Sequence, residues 1–286
     1  MSARVPAVVA LLLSWALPNA VAQNPTFSSK VEAIRVDVLV AKEGKPVRGL
    51  GPGDFEIFDN GVRQQVDLVS FEQLPLNVIL TLDMSDSVVG ERLANLRDAG
   101  RGLLDGLRGG DRAALVTFSH AVSLGADLTV DLARVRRALD QATPSGYTSV
   151  VDACFTGMML GESDAGRALV IVFSDGLDTS SWLAPEAVLE IAKRSDAVVY
   201  AVSAGPEQDG GFLRELAEQT GGRSFEIEST KNLGAIFVQV LEEFRPRYVV
   251  SYSPRGVSAD GWHQLTVRVK GRDATVKARP GYLAGR

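Results

Sequence analysis

Five consecutive residues at positions 78–82, Val-Ile-Leu-Thr-Leu, are apolar or favour β structure, with no alternation between polar and apolar side chains. Such a run predicts a strand that is buried on both faces, as in a parallel sheet covered by helices. The run ends at Asp83, and two more oxygen-bearing side chains, Ser85 and Ser87, follow before a helical pattern of leucines begins. Open α/β sheets bind ligands at this place, outside the carboxyl end of a strand. The stretch therefore predicts a doubly wound, mostly parallel α/β sheet with helices on both faces and a ligand site at this turn.

Taken alone, the turn also fits a second interpretation, in which Ser87 is only the N-cap of the next helix and its neighbours are ordinary turn formers. Two more clusters of oxygen-bearing side chains stand at equivalent places downstream. Thr148 lies in Ser145-Gly-Tyr-Thr-Ser149, which opens a helical segment, and Asp175 follows the buried run at 168–173. Three clusters at equivalent places favour a shared ligand site over a simple helix cap.

The pattern Asp83-x-Ser85-x-Ser87, followed by Thr148 and then Asp175, resembles the metal-ion-dependent adhesion site (MIDAS) of von Willebrand factor A (VWA) domains. The resemblance implies that the two serines and the threonine are direct metal ligands. The two aspartates then balance the charge, often through water. Hydroxyl and carboxylate oxygens suit a hard divalent cation, so we expect Mg²⁺, with Ca²⁺ or Mn²⁺ as alternatives.

The resemblance also implies binding chemistry. An ion with few direct carboxylate ligands stays electrophilic, so it can hold an acidic group of a partner protein or cell-surface ligand. Asp86 and Tyr147 stand at variable positions of the motif, and we expect both at the rim, facing the partner; the family often has Gly in place of Tyr147. We expect the whole site to be an exposed rim, so that Asp83→Ala weakens metal binding and leaves the fold intact.

The first 22 residues have the pattern of a secretory signal peptide. Arg4 supplies the positively charged N-terminal region, and the apolar stretch 8–17 that follows is too short to span a bilayer. Ala20-Val-Ala22 then has the small-x-small pattern of a cleavage site. We therefore expect export to the periplasm or the cell exterior, with no stable membrane insertion after cleavage.

The remaining chain divides into a β segment at 23–75, the VWA-like domain at 76–245 and a second β segment at 246–286. Each β segment offers about three strands, which is a marginal sheet on its own. Because a whole domain can be inserted into another, we expect both segments to form one small antiparallel sandwich around the insertion. The expected contacts join Ile34, Val36 and Val38 to Leu265, Val267 and Val276.

Three motifs in these β segments extend the likeness over nearly the whole mature chain. Val47-Arg-Gly-Leu and Asp54-Phe-Glu-Ile-Phe-Asp-Asn-Gly in the first segment, with Arg279-Pro-Gly-Tyr-Leu in the second, resemble a group of exported VWA-related proteins known chiefly from acidobacteria. This second resemblance implies no defined activity.

Several functional classes find little support in the sequence. The formal net charge is −5 and no basic patch is interleaved with aromatic residues, so we expect no nucleic-acid partner. Cys154 is the single cysteine, which excludes an intramolecular disulfide, and its apolar neighbours predict a buried helix face. His120 and His263 have no Cys, Asp or Glu at ligand spacing, so we expect surface or loop histidines. No Gly-x-Ser-x-Gly elbow is present, and we do not expect an enzyme.

Three functional hypotheses remain at this stage. The first is an exported, metal-dependent protein-binding module of the adhesion type. The second is a structural or assembly subunit of an envelope complex, in which the fold is a scaffold and the ion holds loops. The third, a metal-assisted hydrolase, lacks a general base with a supporting partner.

Overall fold

The computed structural model describes five stretches of the chain: 33–71, 74–162, 166–204, 211–271 and 273–285. The predicted signal peptide at 1–22 lies outside these described residues. Within them, no helix is both long enough and apolar enough to cross a membrane.

The strands and helices follow one another in an order that places an alternating α/β region between two all-β regions. The strands are β1 (Ile34–Lys42), β2 (Lys45–Pro46), β3 (Phe55–Asp59), β4 (Val62–Gln64), β5 (Leu68–Phe71), β6 (Leu76–Asp83), β7 (Arg112–Phe118), β8 (Val122–Thr129), β9 (Arg167–Ser174), β10 (Val198–Ala204), β11 (Ser224–Ile227), β12 (Tyr248–Tyr252), β13 (Gly261–Val269), β14 (Thr275–Lys277) and β15 (Gly281–Ala284). The α-helices are α1 (Glu91–Asp105), α2 (Leu132–Gln141), α3 (Val150–Gly161), α4 (Pro185–Ala192), α5 (Phe212–Gln219) and α6 (Leu233–Phe244).

The central sheet has the strand order β11-β10-β9-β6-β7-β8, and only its β7–β8 edge pair is antiparallel. Alternate side chains of β6 enter two different apolar layers. Leu80 packs in the layer formed with α1, α2 and α6, whereas Ile79 packs in the layer formed with α3, α4 and α5. Cys154 is buried in the second layer, as its neighbours predict. The predicted mostly parallel α/β sheet with helices on both faces is confirmed.

The β segments before and after the α/β region hydrogen-bond to each other. Two antiparallel sheets result, with the orders β14-β1-β12-β5 and β15-β13-β3-β4, and β2 pairs with β1. Val36 on β1 lies opposite Val250 on β12, and the Phe55 and Tyr248 rings meet edge to face with centroids 5.4 Å apart. A single apolar cluster combines residues of both sheets, and it includes all six residues expected to meet: Ile34, Val36, Val38, Leu265, Val267 and Val276.

A buried polar cluster lies inside this sandwich, around the carboxylate of Asp59. The hydroxyls of Tyr252 and Tyr282 donate to Asp59 Oδ2 at 2.8 and 2.9 Å, and His263 Nδ1 lies 2.7 Å from Asp59 Oδ1. Burial raises the pKa of both tyrosines above the ordinary value, which keeps their hydroxyls protonated as donors. His120 is exposed as expected, but the expectation of a surface or loop position is wrong for His263, which is fully buried. Its partner Asp59 is far away in sequence, so spacing along the chain did not reveal it.

Buried arginines connect the sandwich to the central sheet. Arg167, at the start of β9, donates from Nε to Asp37 Oδ1 at 2.8 Å, and its Nη1 donates to the Arg245 carbonyl at 3.1 Å. Arg279 donates from Nη1 to the Ser195 carbonyl at 2.7 Å. Because a buried charged donor is costly unless it is paired, these contacts hold the two parts in one arrangement.

Residues directly opposite each other on β1 and β12 provide a test of the pairing between the two β segments. Arg35 is paired with Ser251, and neither side chain is buried. Opposed residues of antiparallel strands lie ~4.5–5.5 Å apart, within the range that a disulfide spans. We expect the Arg35→Cys/Ser251→Cys variant to form an intramolecular disulfide under mild oxidation, visible as a faster band on a non-reducing gel.

The matched control is Arg35→Cys with Ser123→Cys, since Ser123 lies on edge strand β8 of the central sheet. We expect no intramolecular disulfide in this control. Equal cross-linking in both variants, or none in the first, would contradict the pairing of β1 with β12.

Candidate metal centre

Asp83 is the last residue of β6, and its carboxylate is buried and held from two sides. The backbone N–H of Ser85 donates to Asp83 Oδ1 at 2.8 Å. The hydroxyl of Ser174, the last residue of neighbouring strand β9, donates to Asp83 Oδ2 at 2.8 Å. Burial raises the pKa of the Asp83 carboxyl above its ordinary value, while the hydrogen bonds from Ser85 and Ser174 act in the opposite direction.

Three of the predicted ligands form a continuous chain of oxygen atoms. Ser85 Oγ lies 2.8 Å from Ser87 Oγ, and the Ser87 hydroxyl donates to Asp175 Oδ1 at 2.5 Å. These three residues come from two different loops, after β6 and after β9. The carboxyl ends of these adjacent parallel strands therefore bring their oxygens to one place.

Thr148 reaches the same place on a third loop, which the backbone fastens to the first. The N–H of Ser145 donates to the Met84 carbonyl at 2.7 Å, and that of Asp86 donates to the Gly146 carbonyl at 3.1 Å. Gly146 has a φ of +71°, where a side chain would be strained, and an added Cβ would lie 2.8 Å from His120 Nδ1. Thr148 Oγ1 is 3.4 Å from where a Cβ on Gly176 would stand, so this hydroxyl faces the loop that carries Asp175.

The exposure of these residues differs from the sequence-based expectation. Asp83, Ser85 and Thr148 are buried, so the expected exposed rim is wrong for these three. Ser87 and Asp86 are exposed, and Tyr147 is 71% exposed. The site is therefore partly buried, and its solvent-exposed side carries Ser87 and Tyr147.

The donor set consists of hydroxyl and carboxylate oxygens, which are ligands that hard divalent cations prefer. Within the described residues, no three His, Cys, Asp or Glu side chains lie together as a metal cluster. The residues present thus fit a site that depends on serine and threonine hydroxyls in addition to two carboxylates. That these residues bind a metal stays a prediction.

The chain that forms this arrangement of loops also matches a known protein family. The von Willebrand factor type A domain profile matches residues 77–239, which is more than half of the chain. The chain belongs to the von Willebrand factor type A family. The resemblance drawn from the five motif residues is thereby confirmed at the level of the family.

Curated proteins similar to this VWA chain are much longer. Inter-alpha-trypsin inhibitor heavy chain H2 of Mus musculus is 25% identical over 186 residues, which cover 59% of this chain and 20% of that protein. An uncharacterized protein of Synechocystis (sll0103) is 30% identical over 101 residues, covering 33% of this chain and 22% of that protein. The match thus spans about a fifth of the length of these relatives.

Solved structures similar to this one show the same fold at low sequence identity. A von Willebrand factor type A protein from Catenulispora acidiphila superposes with a TM-score of 0.56 and 14% identity over 85% of this chain and 75% of that chain. Proximal thread matrix protein 1 from the mussel byssus, with a zinc-occupied MIDAS motif, gives a TM-score of 0.55 at 18% identity, covering 65% of this chain and 49% of that chain.

One residue near the VWA motif was missed by sequence reasoning. Arg92, in the first turn of α1, donates from Nη1 to Asp175 Oδ2 at 2.7 Å and to the Ser87 carbonyl at 3.2 Å. The guanidinium is half-exposed, whereas the Asp175 side chain is buried. A positive charge thus already stands beside one of the two motif carboxylates. Arg92 and Asp175 are far apart along the chain, so no local pattern indicated this pair.

Two aspartates outside the motif fix the loop after Asp175. Asp178 Oδ2 accepts from the Val151 N–H at 3.0 Å, and Asp152 Oδ2 accepts from the Trp182 N–H at 2.9 Å. The Thr148 carbonyl accepts from the N–H groups of two further loop residues, 179 and 180, at 2.8 and 3.1 Å. The loop is therefore tied to the segment that holds Thr148.

The hydrogen bonds at Asp83 predict a difference between two substitutions that both remove its charge. Asp83→Asn keeps polar atoms beside Ser85 N and Ser174 Oγ. Asp83→Ala removes the acceptor of the buried Ser85 N–H, and it leaves Ser174 Oγ with only its longer contacts to Gly176, at 3.3 and 3.4 Å. An orphaned buried group costs ~1–3 kcal/mol, so we expect Asp83→Ala to be less stable than Asp83→Asn by about that amount. Urea denaturation of both variants in the presence of chelator measures the difference.

Both variants lack the carboxylate, so charge and metal binding do not contribute to the difference between them. Equal urea midpoints for Asp83→Ala and Asp83→Asn would show that these hydrogen bonds do not organise the site.

Proposed function

We propose that this protein is an exported, divalent-metal-dependent protein-binding module of the adhesion type. It captures an acidic group of a partner protein or cell-surface ligand through Asp83, Ser85, Ser87, Thr148 and Asp175. One observation supports the proposal: at the carboxyl edge of the sheet, Ser87 Oγ lies 2.8 Å from Ser85 Oγ and 2.5 Å from Asp175 Oδ1, so oxygens of two loops meet there. The oxygen-only donor set supports Mg²⁺, or alternatively Ca²⁺ or Mn²⁺.

The residues of the chain have separate parts in this proposal. Ser85, Ser87 and Thr148 offer neutral oxygens that would hold the ion, and Asp83 and Asp175 balance its charge. Ser174 orients Asp83 from the neighbouring strand. The bound ion supplies a positive charge that attracts a carboxylate. We propose binding as the function and do not assign a catalytic role to any of these groups.

Export is the second part of the proposal, and the pattern of residues 1–22 supports it. Cleavage after Ala22 would leave Gln23 as the first residue of the mature protein. N-terminal sequencing of the protein recovered outside the cytoplasm of its native cell tests this step. Recovery of the full-length chain from the cytoplasm would contradict export.

Removal of the hydroxyl at the solvent-exposed side tests the metal centre. We expect Mg²⁺ to bind the native protein in a calorimetric titration, and Ser87→Ala to weaken this binding by at least about tenfold, or ~1.4 kcal/mol. Capture of a partner from the native cell envelope should fail for Ser87→Ala and for the native protein in chelator. Ser123→Ala, an exposed serine on edge strand β8, is the matched control. Native-like Mg²⁺ affinity in Ser87→Ala would contradict the site.

A structural or assembly role is the second candidate, and the contact between Arg92 and Asp175 favours it. Arg92 of α1 forms a salt bridge with Asp175, so this ion pair connects two parts of the site and can organise the loops. The variant Arg92→Gln separates the two functions. If the site binds metal, removal of a neighbouring positive charge raises Mg²⁺ affinity about fivefold, or ~1 kcal/mol. If the role is structural, Arg92→Gln lowers the free energy of unfolding in chelator, and capture of a partner does not depend on Mg²⁺.

A further inference from the structure

Large apolar side chains are exposed on each of the three loops that form the candidate metal centre. Val89 is two residues after Ser87 and is 59% exposed. Tyr147 directly precedes Thr148 and is 71% exposed, and Leu177 is two residues after Asp175 and is 42% exposed. Trp182, on the same loop as Leu177, is 95% exposed. We call these four residues the apolar rim: Val89, Tyr147, Leu177 and Trp182.

The rim lies within a short distance of the oxygen cluster. Two residues of extended chain span at most about 7 Å, so Val89 and Leu177 stand within that reach of the backbone of Ser87 and Asp175. The side chains of Ser87 and Asp175 hydrogen-bond to each other. Single exposed apolar residues are common on protein surfaces and need no explanation. Here all four lie on the three loops that carry the candidate metal ligands, which sets them apart from scattered surface residues.

The backbone of Trp182 is fixed by hydrogen bonds, although its side chain is exposed. The N–H groups of Trp182 and Leu183 donate to the two carboxylate oxygens of Asp152, both at 2.9 Å. Asp152 lies in the first turn of α3, four residues after Thr148. Tryptophan and tyrosine are the residues that most often dominate binding energy at protein interfaces, and a fixed backbone lowers the entropy cost of binding.

The charges of the centre determine which group such a partner presents. Arg92 adds a positive charge beside Asp175. A bound divalent ion would add two positive charges beside Arg92, while the exposed Asp86 stands between Ser85 and Ser87. A carboxylate of the partner would bind at the ion itself, and the apolar rim would bury the side chains next to that carboxylate.

We propose that this site recognises a protein segment in which an Asp or Glu stands beside an aromatic or aliphatic residue, with Trp182 and Tyr147 as the main apolar contacts. The inference rests on the proposed metal-dependent function and specifies its partner. A lipid membrane is the alternative partner that exposed aromatic residues near a cation could bind. Peripheral membrane binding draws on clusters of Lys and Arg, and this chain has a formal net charge of −5, which favours the protein segment.

Selection of random displayed peptides on the Mg²⁺-loaded protein, with elution by chelator, tests the proposal. We expect the enriched peptides to carry an Asp or Glu next to an aromatic or aliphatic residue. Trp182→Ala and Tyr147→Ala should each weaken binding of the selected peptides by at least about tenfold. Calorimetry should show that neither substitution changes Mg²⁺ affinity, because neither side chain belongs to the metal centre.

Val130→Ala is the matched control, since Val130 is 63% exposed and follows β8 at the opposite edge of the sheet. It should bind the selected peptides as the native protein does. Enrichment of acidic peptides without an apolar preference would refute the proposed role of the apolar rim, and so would native-like peptide binding by the rim variants. Neither outcome would contradict metal-dependent binding of an acidic group. Mg²⁺-dependent binding to anionic lipid vesicles, with no enriched peptide, would also refute it. Absence of Mg²⁺ binding itself would refute the proposed function together with the rim.

Discussion

Strand β6 is hydrogen-bonded to β9 on one side and to β7 on the other, and helices cover both of its faces. Because the whole strand is buried, each backbone group must find its partner within the protein until the strand ends. At Asp83 the side chain continues this hydrogen bonding by accepting from Ser85 N and Ser174 Oγ. The oxygen cluster thus lies where the central buried strand ends and the loops of its neighbours converge.

The β segments at the two ends of the chain depend on a comparable buried carboxylate. Asp59 accepts hydrogen bonds from Tyr252 and Tyr282 and contacts His263, so residues of β3, β12, β13 and β15 meet at one group. The motifs that begin at Asp54 and Arg279 therefore have a structural explanation. They supply the carboxylate and one of its tyrosines, and Gly281 lets the strand approach closely, since an added Cβ would lie 2.3 Å from the His263 carbonyl oxygen.

Aspartate side chains that accept hydrogen bonds from backbone N–H groups fix the loop after Asp175. Asp152 of α3 accepts from the Trp182 N–H of the loop, and Asp178 of the loop accepts from the Val151 N–H of α3, so these bonds fix the loop to the helix. Apolar side chains such as Trp182 can then remain exposed on an ordered backbone. The same loops thus present both hydroxyl oxygens and exposed apolar side chains.

The sequence alone determined the types of elements, the doubly wound sheet and the order of the five motif residues, because these depend on local periodicity and on short motifs. It also indicated that the two β segments would meet, since neither has enough strands to be stable alone. Only the tertiary structure revealed that Asp83 is buried, that Arg92 stands beside Asp175 and that His263 pairs with Asp59. The two pairs join residues far apart along the chain, and neither pair belongs to a motif or a periodic pattern from which its contact could be predicted.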